Sequence, residues 1–377
     1  MDKMSEWKEI KLGEVISIKG GFSYKGNHIG KGSSLLLGMG CVSFNQKFLY
    51  SGARAYSGEC GESYYVKPGD LVLATRQQSD NLPILGLPAI IPNEFKEKRI
   101  IVGTNLYMVK NNSEIDNKFL FWLLKSSDYG NHISACAKGT TVRMITKDAV
   151  ESFKFLCPSK QERDNISDIL WSIENKIDLL QRQNKTLEQL AETLFRQWFV
   201  EDAEEGWEAG KVLDLFVLQR GHDLPSQNRT QGKYPIMSSG GVNGFHDEYK
   251  VKGPGVTTGR SGVIGNVFYI THNFWPLNTS LFIKEYKIGS PLFSYFFLKT
   301  LDLKTLNGGS AVPTLNRNDV HDLDTILPPK KVVEKFELIV SDYFKKIELN
   351  KEQISSLTRL RDALLPKLMS GEVRVKK

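Results

Sequence analysis

The stretch that decides the fold runs from Ile166 to Trp198 and reads ISDILWSIENKIDLLQRQNKTLEQLAETLFRQW. Its apolar residues recur at spacings of four and three, which is the heptad pattern of a helix that pairs with another helix. The first seam consists of Ile166, Leu170, Ile173, Ile177, Leu180, Asn184, Leu187, Ala191, Leu194 and Trp198. The sequence therefore predicts a long helix, which we place at 159–200, and Ser159-x-x-Glu162 resembles a capping box at its start.

A second seam lies 170 residues further along the chain (336 − 166 = 170). It consists of Phe336, Val340, Tyr343, Ile347, Asn350, Ile354, Leu357, Arg361, Leu364 and Leu368. Arg361 is the exception that interrupts the apolar pattern. Two seams at one constant offset predict a second long helix, over 329–371, that packs against the first.

The two helices are predicted to pair antiparallel, with Asn184 opposite Asn350. A pseudo-two-fold axis centred near residue 182 pairs positions whose numbers sum to 534, and 184 + 350 meets that sum. An Asn pair in a seam fixes the register. Residues 159–206 carry 6 Lys+Arg and 11 Asp+Glu, and residues 329–377 carry 12 and 7. The net charges of −5 (6 − 11) and +5 (12 − 7) favour pairing with each other over self-pairing between two chains.

The segments that precede the helices also repeat. Four short matches relate the first copy to the second: Trp7 to Trp207, Lys19-Gly20 to Arg220-Gly221, Gly139–Val142 to Gly309–Val312, and Leu156–Pro158 to Ile326–Pro328. The offset falls from 200 at the start (207 − 7) to 170 at the end (328 − 158), so the first copy is about 30 residues longer. This predicts two copies of one domain, at 1–158 and 207–328, that diverged in their middles.

Short apolar runs between glycine-rich loops predict an α+β fold for each copy. Candidate strands are 35–37, 70–74, 263–270 and 280–283, and candidate short helices are 118–126 and 291–300.

Composition adds weaker constraints. The chain has 377 residues, a net charge of +7 and a pI of about 9.0, which agrees with a nucleic-acid partner. No apolar run of about 18 residues is present, and the N-terminus lacks the apolar core of a signal peptide, so we expect a cytoplasmic protein. Cysteine and histidine spacings do not match a metal site, so none is expected.

Enzyme motifs are poorly matched. Gly259-x-x-Gly262-x-x-Gly265 lacks the dinucleotide spacing, and the chain has no Asn-Pro-Pro-aromatic motif for base methylation. Asp70 with Glu94-x-Lys96 loosely imitates a nuclease set, a match that is frequent by chance. We therefore expect no catalytic residues. The alternatives are a free-standing nuclease or methyltransferase, and a coiled-coil scaffold without DNA affinity.

Several segments resemble the specificity subunit of Type I restriction-modification systems. Val66–Val72 resembles that family's Lys-Pro-Gly-Asp turn and strand, and Gly253–Gly265 resembles its Gly-Arg-x-Gly segment. Phe274–Ser280 resembles the segment that follows, and Leu364–Val373 is typical of the family's C-terminus. With the repeat and the two helices, the resemblance covers nearly the whole chain.

The resemblance implies a non-catalytic subunit that recognises double-stranded DNA. Each globular copy would be a target recognition domain that reads one half of a bipartite, asymmetric site. The helices would set the gap between the halves and dock two methyltransferase (M) subunits, with restriction (R) subunits in the full complex. The chain itself would hold no cofactor, since S-adenosylmethionine, ATP and magnesium would belong to the partner subunits.

DNA contacts are predicted where polar side chains follow strands or glycine turns. Arginine pairs best with guanine, and Asn or Gln with adenine. Candidates in the first copy are Lys25, Arg76, Gln77, Gln78, Thr140 and Arg143, and in the second Arg220, Ser238, Ser239, Thr258, Arg260 and Ser261. The alternatives are solvated loops, repeated structural turns, contacts to phosphates, and an Arg260 that braces its glycine turn.

Overall fold

The computed structural model describes residues 7–77, 83–139, 142–203, 206–307 and 312–375. The chain divides into a first unit, Met1–Leu179 with Gln353–Lys377, and a second unit, Leu180–Glu352. Each unit combines an α+β domain with one portion of each long helix.

The domain of the first unit is built on an antiparallel sheet in which four strands lie side by side in the order β2 (Ile16–Gly20), β10 (Leu106–Asn111), β6 (Leu71–Ala74) and β8 (Pro88–Ile90). The strands of this unit are β1 (Lys8–Lys11), β2 (Ile16–Gly20), β3 (Ile29–Leu37), β4 (Ala53–Tyr56), β5 (Tyr65–Val66), β6 (Leu71–Ala74), β7 (Arg76–Gln77), β8 (Pro88–Ile90), β9 (Ile100–Val102), β10 (Leu106–Asn111), β11 (Arg143–Met144) and β12 (Lys154–Cys157). Its short helices are α1 (Leu12–Val15), α2 (Asn117–Leu123), α3 (Ser127–Cys136) and α4 (Lys147–Glu151). The first long helix, α5 (Lys160–Arg196), begins in this unit.

The domain of the second unit repeats this plan, with sheet order β14-β20-β17-β18. Its strands are β13 (Glu208–Lys211), β14 (Phe216–Arg220), β15 (Tyr234–Ser238), β16 (Gly241–His246), β17 (Gly255–Gly259), β18 (Val267–Ile270), β19 (Trp275–Pro276), β20 (Ser280–Tyr286) and β21 (Asp324–Leu327). Its helices are α6 (Val212–Leu215), α7 (Pro291–Thr300), α8 (Arg317–His321) and the long α9 (Lys330–Met369).

The two domains match residue by residue at both ends. Lys8 pairs with Cys157 in the first domain, as Glu208 pairs with Leu327 in the second. One sequence match was wrong by a residue. Gly21 and Gly221 each donate the backbone N–H to the first residue of the neighbouring strand, at 2.9 and 3.0 Å. Gly20-Gly21, rather than Lys19-Gly20, therefore corresponds to Arg220-Gly221.

Much of the difference in length lies between matched strands. β2 and β6 are joined by 50 residues (21–70), whereas β14 and β17 are joined by 34 (221–254). In the first domain this segment supplies three strands of the sheet β4-β3-β9-β5, and in the second it supplies two strands of the sheet β16-β15-β19. The expected divergence between constant ends is therefore present.

Some predicted elements have different bounds. The helix predicted at 118–126 is α2, and the helix α3 that follows it was not predicted. The strand predicted from Val263 begins only at Val267. The first long helix is α-helical to Arg196 and continues as a π-helical turn over Gln197–Glu201.

Both seams lie inward along the long helices, where every seam residue is buried or half-buried. In the second unit, Asn350 Nδ2 donates to Asn184 Oδ1 at 2.8 Å, which confirms the predicted antiparallel register. The capping box is also present: the Glu162 N–H donates to Ser159 Oγ at 3.4 Å, and the Ser159 N–H donates to the Glu162 carboxylate at 3.3 Å.

The helices complete the domain cores. In the first unit, Trp171 of α5 packs 5.4 Å from the ring of Phe121, with Leu368 in the same cluster. In the second unit, Phe195 of α5 lies 5.8 Å from Phe336 of α9. Each domain therefore packs its apolar surface against its own pair of helix segments.

Two equivalent positions of the domains, 151 and 321, form the same hydrogen bond with different residue types. Glu151 Oε1 accepts the N–H of Ile18 at 2.9 Å, and His321 Nε2 accepts the N–H of Leu218 at 2.8 Å. Because Nε2 accepts this bond, the imidazole of His321 must be neutral. Burial lowers the pKa of His321, and the charge of Arg317 acts in the same direction.

We expect the second domain to lose stability as the pH falls below about 6.5, the ordinary pKa of histidine. The folded domain lowers the pKa of His321, so the unfolded chain binds more protons in this range and acid favours unfolding. His321→Glu introduces the residue type of position 151 and should weaken this dependence. Urea midpoints of both proteins, measured from about pH 8 to about pH 5, test this; identical pH dependence would contradict it.

Candidate nucleic-acid interface

A concave site lies at the end of the central sheet in the first domain. It is a cavity of about 340 Å³ where the ends of β2 and β6 meet the loop before β10 and the turn before α4. Polar side chains at this site include Arg76, Thr104, Asn105, Lys138 and Thr146. Arg76 and Lys138 are exposed, so two cations face solvent there.

The second domain has a concave site at the corresponding place, also of about 340 Å³. Arg220 at the end of β14, Arg260 after β17 and Arg317 at the start of α8 line it. Arg220 and Arg317 are exposed, whereas Arg260 is half-buried and its Nη1 donates to the carbonyl of Asn278 at 3.3 Å. Three guanidinium groups therefore share one concavity.

Backbone hydrogen bonds show that the two sites are equivalent. The N–H of Ile145 donates to the carbonyl of Thr75 at 3.2 Å, as the N–H of Leu315 donates to that of Arg260 at 2.8 Å. Arg260 is therefore the counterpart of Thr75, and Ser261 is the counterpart of Arg76. The apolar floor is kept, since Ile145 and Leu315 are both buried, while the polar residues around it differ.

Of the residues predicted as DNA contacts in the first domain, Arg76 lines the concave site. Gln77 is buried and its Oε1 accepts the N–H of Leu85 at 3.4 Å, and Arg143 Nη2 donates to the carbonyl of Ser134 at 2.9 Å. Lys25 is exposed and precedes a short 3-10 turn away from the cavity lining. Gln78 and Thr140 lie outside the described residues.

The second-domain candidates separate in the same way. Arg220 and Arg260 line the concave site, and Ser261 pairs with Thr314 beside it. Ser238 and Ser239 line another cavity, of about 570 Å³, together with Asn278. For Thr258 the expectation of a surface contact was wrong: the residue is fully buried and its hydroxyl donates to the carbonyl of Asn266 at 2.8 Å.

Sequence reasoning missed several polar residues at these sites. They are Asn105 in the first domain and Asn278 and Arg317 in the second. The constant offset of 170 could have identified Arg317: it matches the helix cap Asn316 with the helix cap Thr146 (316 − 146), and Arg317 is the next residue after Asn316. Asn105 and Asn278 belong to loops that precede β10 and β20. Asn278 lies in the segment Phe274–Ser280 that resembles the family, but nothing in the sequence singled out either side chain.

The fold and these sites define a duplicated α+β protein with two equivalent concavities whose polar linings differ. A family model described as the Type I restriction modification DNA specificity domain matches residues 4–189 and 204–359. The chain therefore belongs to this family and carries its domain twice.

Named relatives agree with this assignment. The chain is 24% identical to the HindI specificity subunit of Haemophilus influenzae, a Type I restriction enzyme, over 98% of this chain and 100% of that one. It is 24% identical to the MjaIX specificity subunit of Methanocaldococcus jannaschii over 69% of each chain. The S subunit of a Type I system from M. genitalium has the same fold, with a TM-score of 0.64 at 19% identity over 97% of this chain and 96% of that one.

None of the described helices is long and apolar enough to cross a membrane. The same part of the chain contains no cluster of His, Cys, Asp and Glu that would hold a metal ion.

Proposed function

We propose that the chain recognises a bipartite, asymmetric DNA site as the specificity subunit of a Type I restriction-modification complex. The observation that carries the proposal is the pair of equivalent concavities, built on one backbone plan with different polar side chains. A duplicated scaffold with identical linings would suit a symmetric site. Unlike linings, such as Gly20 against Arg220, suit two different half-sites.

The chemistry of the linings supports base readout. Arginine, asparagine and threonine present donors and acceptors to base edges in the major groove. Contacts to phosphates position a protein on DNA but carry no sequence information directly. The net charge of +7 favours association with a polyanion and makes binding sensitive to salt.

Methyltransferase and restriction subunits are the proposed protein partners, docked on the long helices. Leu338 and Leu349 of α9 are 71% and 61% exposed on a helix that is packed on its other side. They are eleven residues apart, or about three turns, and therefore share one face. We propose that S-adenosylmethionine, ATP and magnesium are bound by the partners and that this chain catalyses neither methylation nor cleavage.

The proposal is tested by expressing the chain with its methyltransferase partner in a host without other modification systems. Sequencing of modified bases should reveal one two-part motif with unlike halves. The purified chain alone, given magnesium or methyl donor, should show no turnover. Turnover by the chain alone, or methylation without sequence preference, would overturn the proposal.

Arg76→Ala should relax recognition within one half-site and leave the other half-site unchanged. Arg76 is exposed at the first concavity, and a bidentate contact to guanine contributes about 1–3 kcal/mol of discrimination. Lys154→Ala is the matched control, since it removes a positive charge that is 65% exposed in the same unit but away from that lining. The measurement is the base preference at each methylated position. An equal effect of both variants would indicate a general charge effect instead.

A further inference from the structure

The three arginines of the second concavity differ in burial and in their hydrogen bonds to the protein. Arg260 is held from two sides: its N–H donates to the carbonyl of Thr279 at 2.8 Å, and its Nη1 donates to that of Asn278 at 3.3 Å. Arg220 and Arg317 are exposed at the rim of the same cavity. Arg260 is therefore a positioning residue in the wall of the cavity, and Arg220 and Arg317 are the two whose side chains are exposed to solvent.

This cationic set belongs to the second domain alone. The first-domain counterparts of Arg220 and Arg260 are Gly20 and Thr75, and the counterpart of Arg317 is Lys147, which is outside the first cavity lining. Position 20 is open: a Cβ added to Gly20 would meet nothing within 4 Å. Packing therefore does not require the difference between Gly20 and Arg220.

The surroundings of Arg220 favour a base over a phosphate. Its Nη2 lies 4.0 Å from Asp223 Oδ1, and that carboxylate is itself hydrogen-bonded by the side-chain amide of Asn278. A carboxylate beside the guanidinium adds a negative charge that repels an approaching phosphate. A neutral base edge that offers two acceptors meets no such repulsion, and guanine O6 and N7 are the pair that arginine contacts bidentately.

We propose that Arg220 and Arg317 are guanine-reading residues, and that the half-site recognised by the second domain contains a G·C pair which Arg220 specifies. The inference rests on the proposed function and names the base chemistry of that site. Arg317 lines the same cavity and contacts the same half-site, whereas its neighbour Asn316 is occupied in capping α8.

The test is methylation mapping of the chain with its methyltransferase partner, for the native protein, Arg220→Ala, Arg220→Lys and Arg317→Ala. The native half-site that changes in the Arg220 and Arg317 variants should contain a G·C pair, and Arg76→Ala should change the other half. Arg220→Ala should lower the preference for guanine at one position by roughly tenfold or more. Arg220→Lys should not restore it, because lysine keeps the charge but not the bidentate fork.

The outcomes separate the inference from the function on which it rests. If the native chain directs no site-specific methylation, the proposed function fails and the inference fails with it. If the native motif is two-part but the second-domain half lacks a G·C pair, only the inference is overturned. Loss that is uniform across sequences and rescued by Arg220→Lys would identify a phosphate contact and would also overturn it.

Discussion

Replacing Arg361 by methionine is expected to lower the free energy of unfolding by about 3–5 kcal/mol, because it leaves a carboxylate buried without its partner. Arg361 Nη1 lies 2.8 Å from Glu174 Oε2, and both side chains are only 3% exposed. Burial acts to lower the pKa of Arg361, but hydrogen bonds and charge from Glu174 and Asp362 outweigh it and raise the pKa above its usual value. Arg361 therefore stays charged beside Glu174.

The matched control is the double variant Glu174→Met with Arg361→Met, which removes both charges and fills the seam with apolar side chains. It should recover most of the lost stability, since apolar replacement of a buried pair is often neutral or stabilising. Urea unfolding of the native chain, both single variants and the double variant gives the coupling energy between the two side chains. A loss below about 1 kcal/mol for Arg361→Met would contradict the expectation, because that is the range of exposed ion pairs.

A second readout comes from Lys125, which shares this buried region. Burial lowers the pKa of Lys125 to about 8, with Glu174 acting to raise it and Arg361 acting to lower it. Among the described residues its Nζ has no hydrogen-bond partner and lies 5.2 Å from the ring of Phe121. In Arg361→Met the pKa of Lys125 should rise, because the positive charge of Arg361, which lowers it, is gone, while the negative charge of Glu174, which raises it, remains.

The long helices could be predicted because helix burial leaves a local signal that recurs every three or four residues. The apolar pattern does not reveal the role of Arg361, because a charged residue that is buried in the seam and one that interrupts the seam look the same in it. The antiparallel register identifies its partner: with a sum of 534, position 361 faces 173, which is next to Glu174. A register argument therefore adds contacts that an apolar pattern cannot.

The sites were less predictable because they depend on alignment between copies of unequal length. Arg76 and Arg260 were both predicted as DNA contacts, and the backbone hydrogen bonds of Ile145 and Leu315 show that they are not equivalent positions, because Arg260 matches Thr75. Thr258 lies within a strand, Gly255–Gly259, in which all five residues are buried, so both faces are covered. Sequence alone does not show that a glycine- and threonine-rich strand is enclosed on both sides.

One glycine follows the equivalent strands β2 and β14 next to the concavities, Gly21 in the first domain and Gly221 in the second. A Cβ on Gly21 would lie 2.1 Å from the carbonyl oxygen of Gly103, and a Cβ on Gly221 would lie 2.1 Å from that of Leu277. These contacts are with backbone atoms, which cannot rotate away as a side chain does. Alanine at either position must therefore move the strand end or the loop that faces it.

We accordingly expect Gly21→Ala to abolish recognition of the first half-site under the proposed function, and to lower the free energy of unfolding by about 1–3 kcal/mol or more. The loop that must move continues into Thr104 and Asn105, which line the first concavity. The substitution should therefore displace residues that are proposed to contact DNA. Gly20→Ala, one residue away, is the control for stability alone, because Gly20 itself lines the concavity. A Cβ at this position has open space, so the free energy of unfolding should stay within about 0.5 kcal/mol of the native value. Methylation mapping and urea unfolding of the two variants measure both effects. Native recognition by Gly21→Ala would show that the backbone at this strand end does not shape the site.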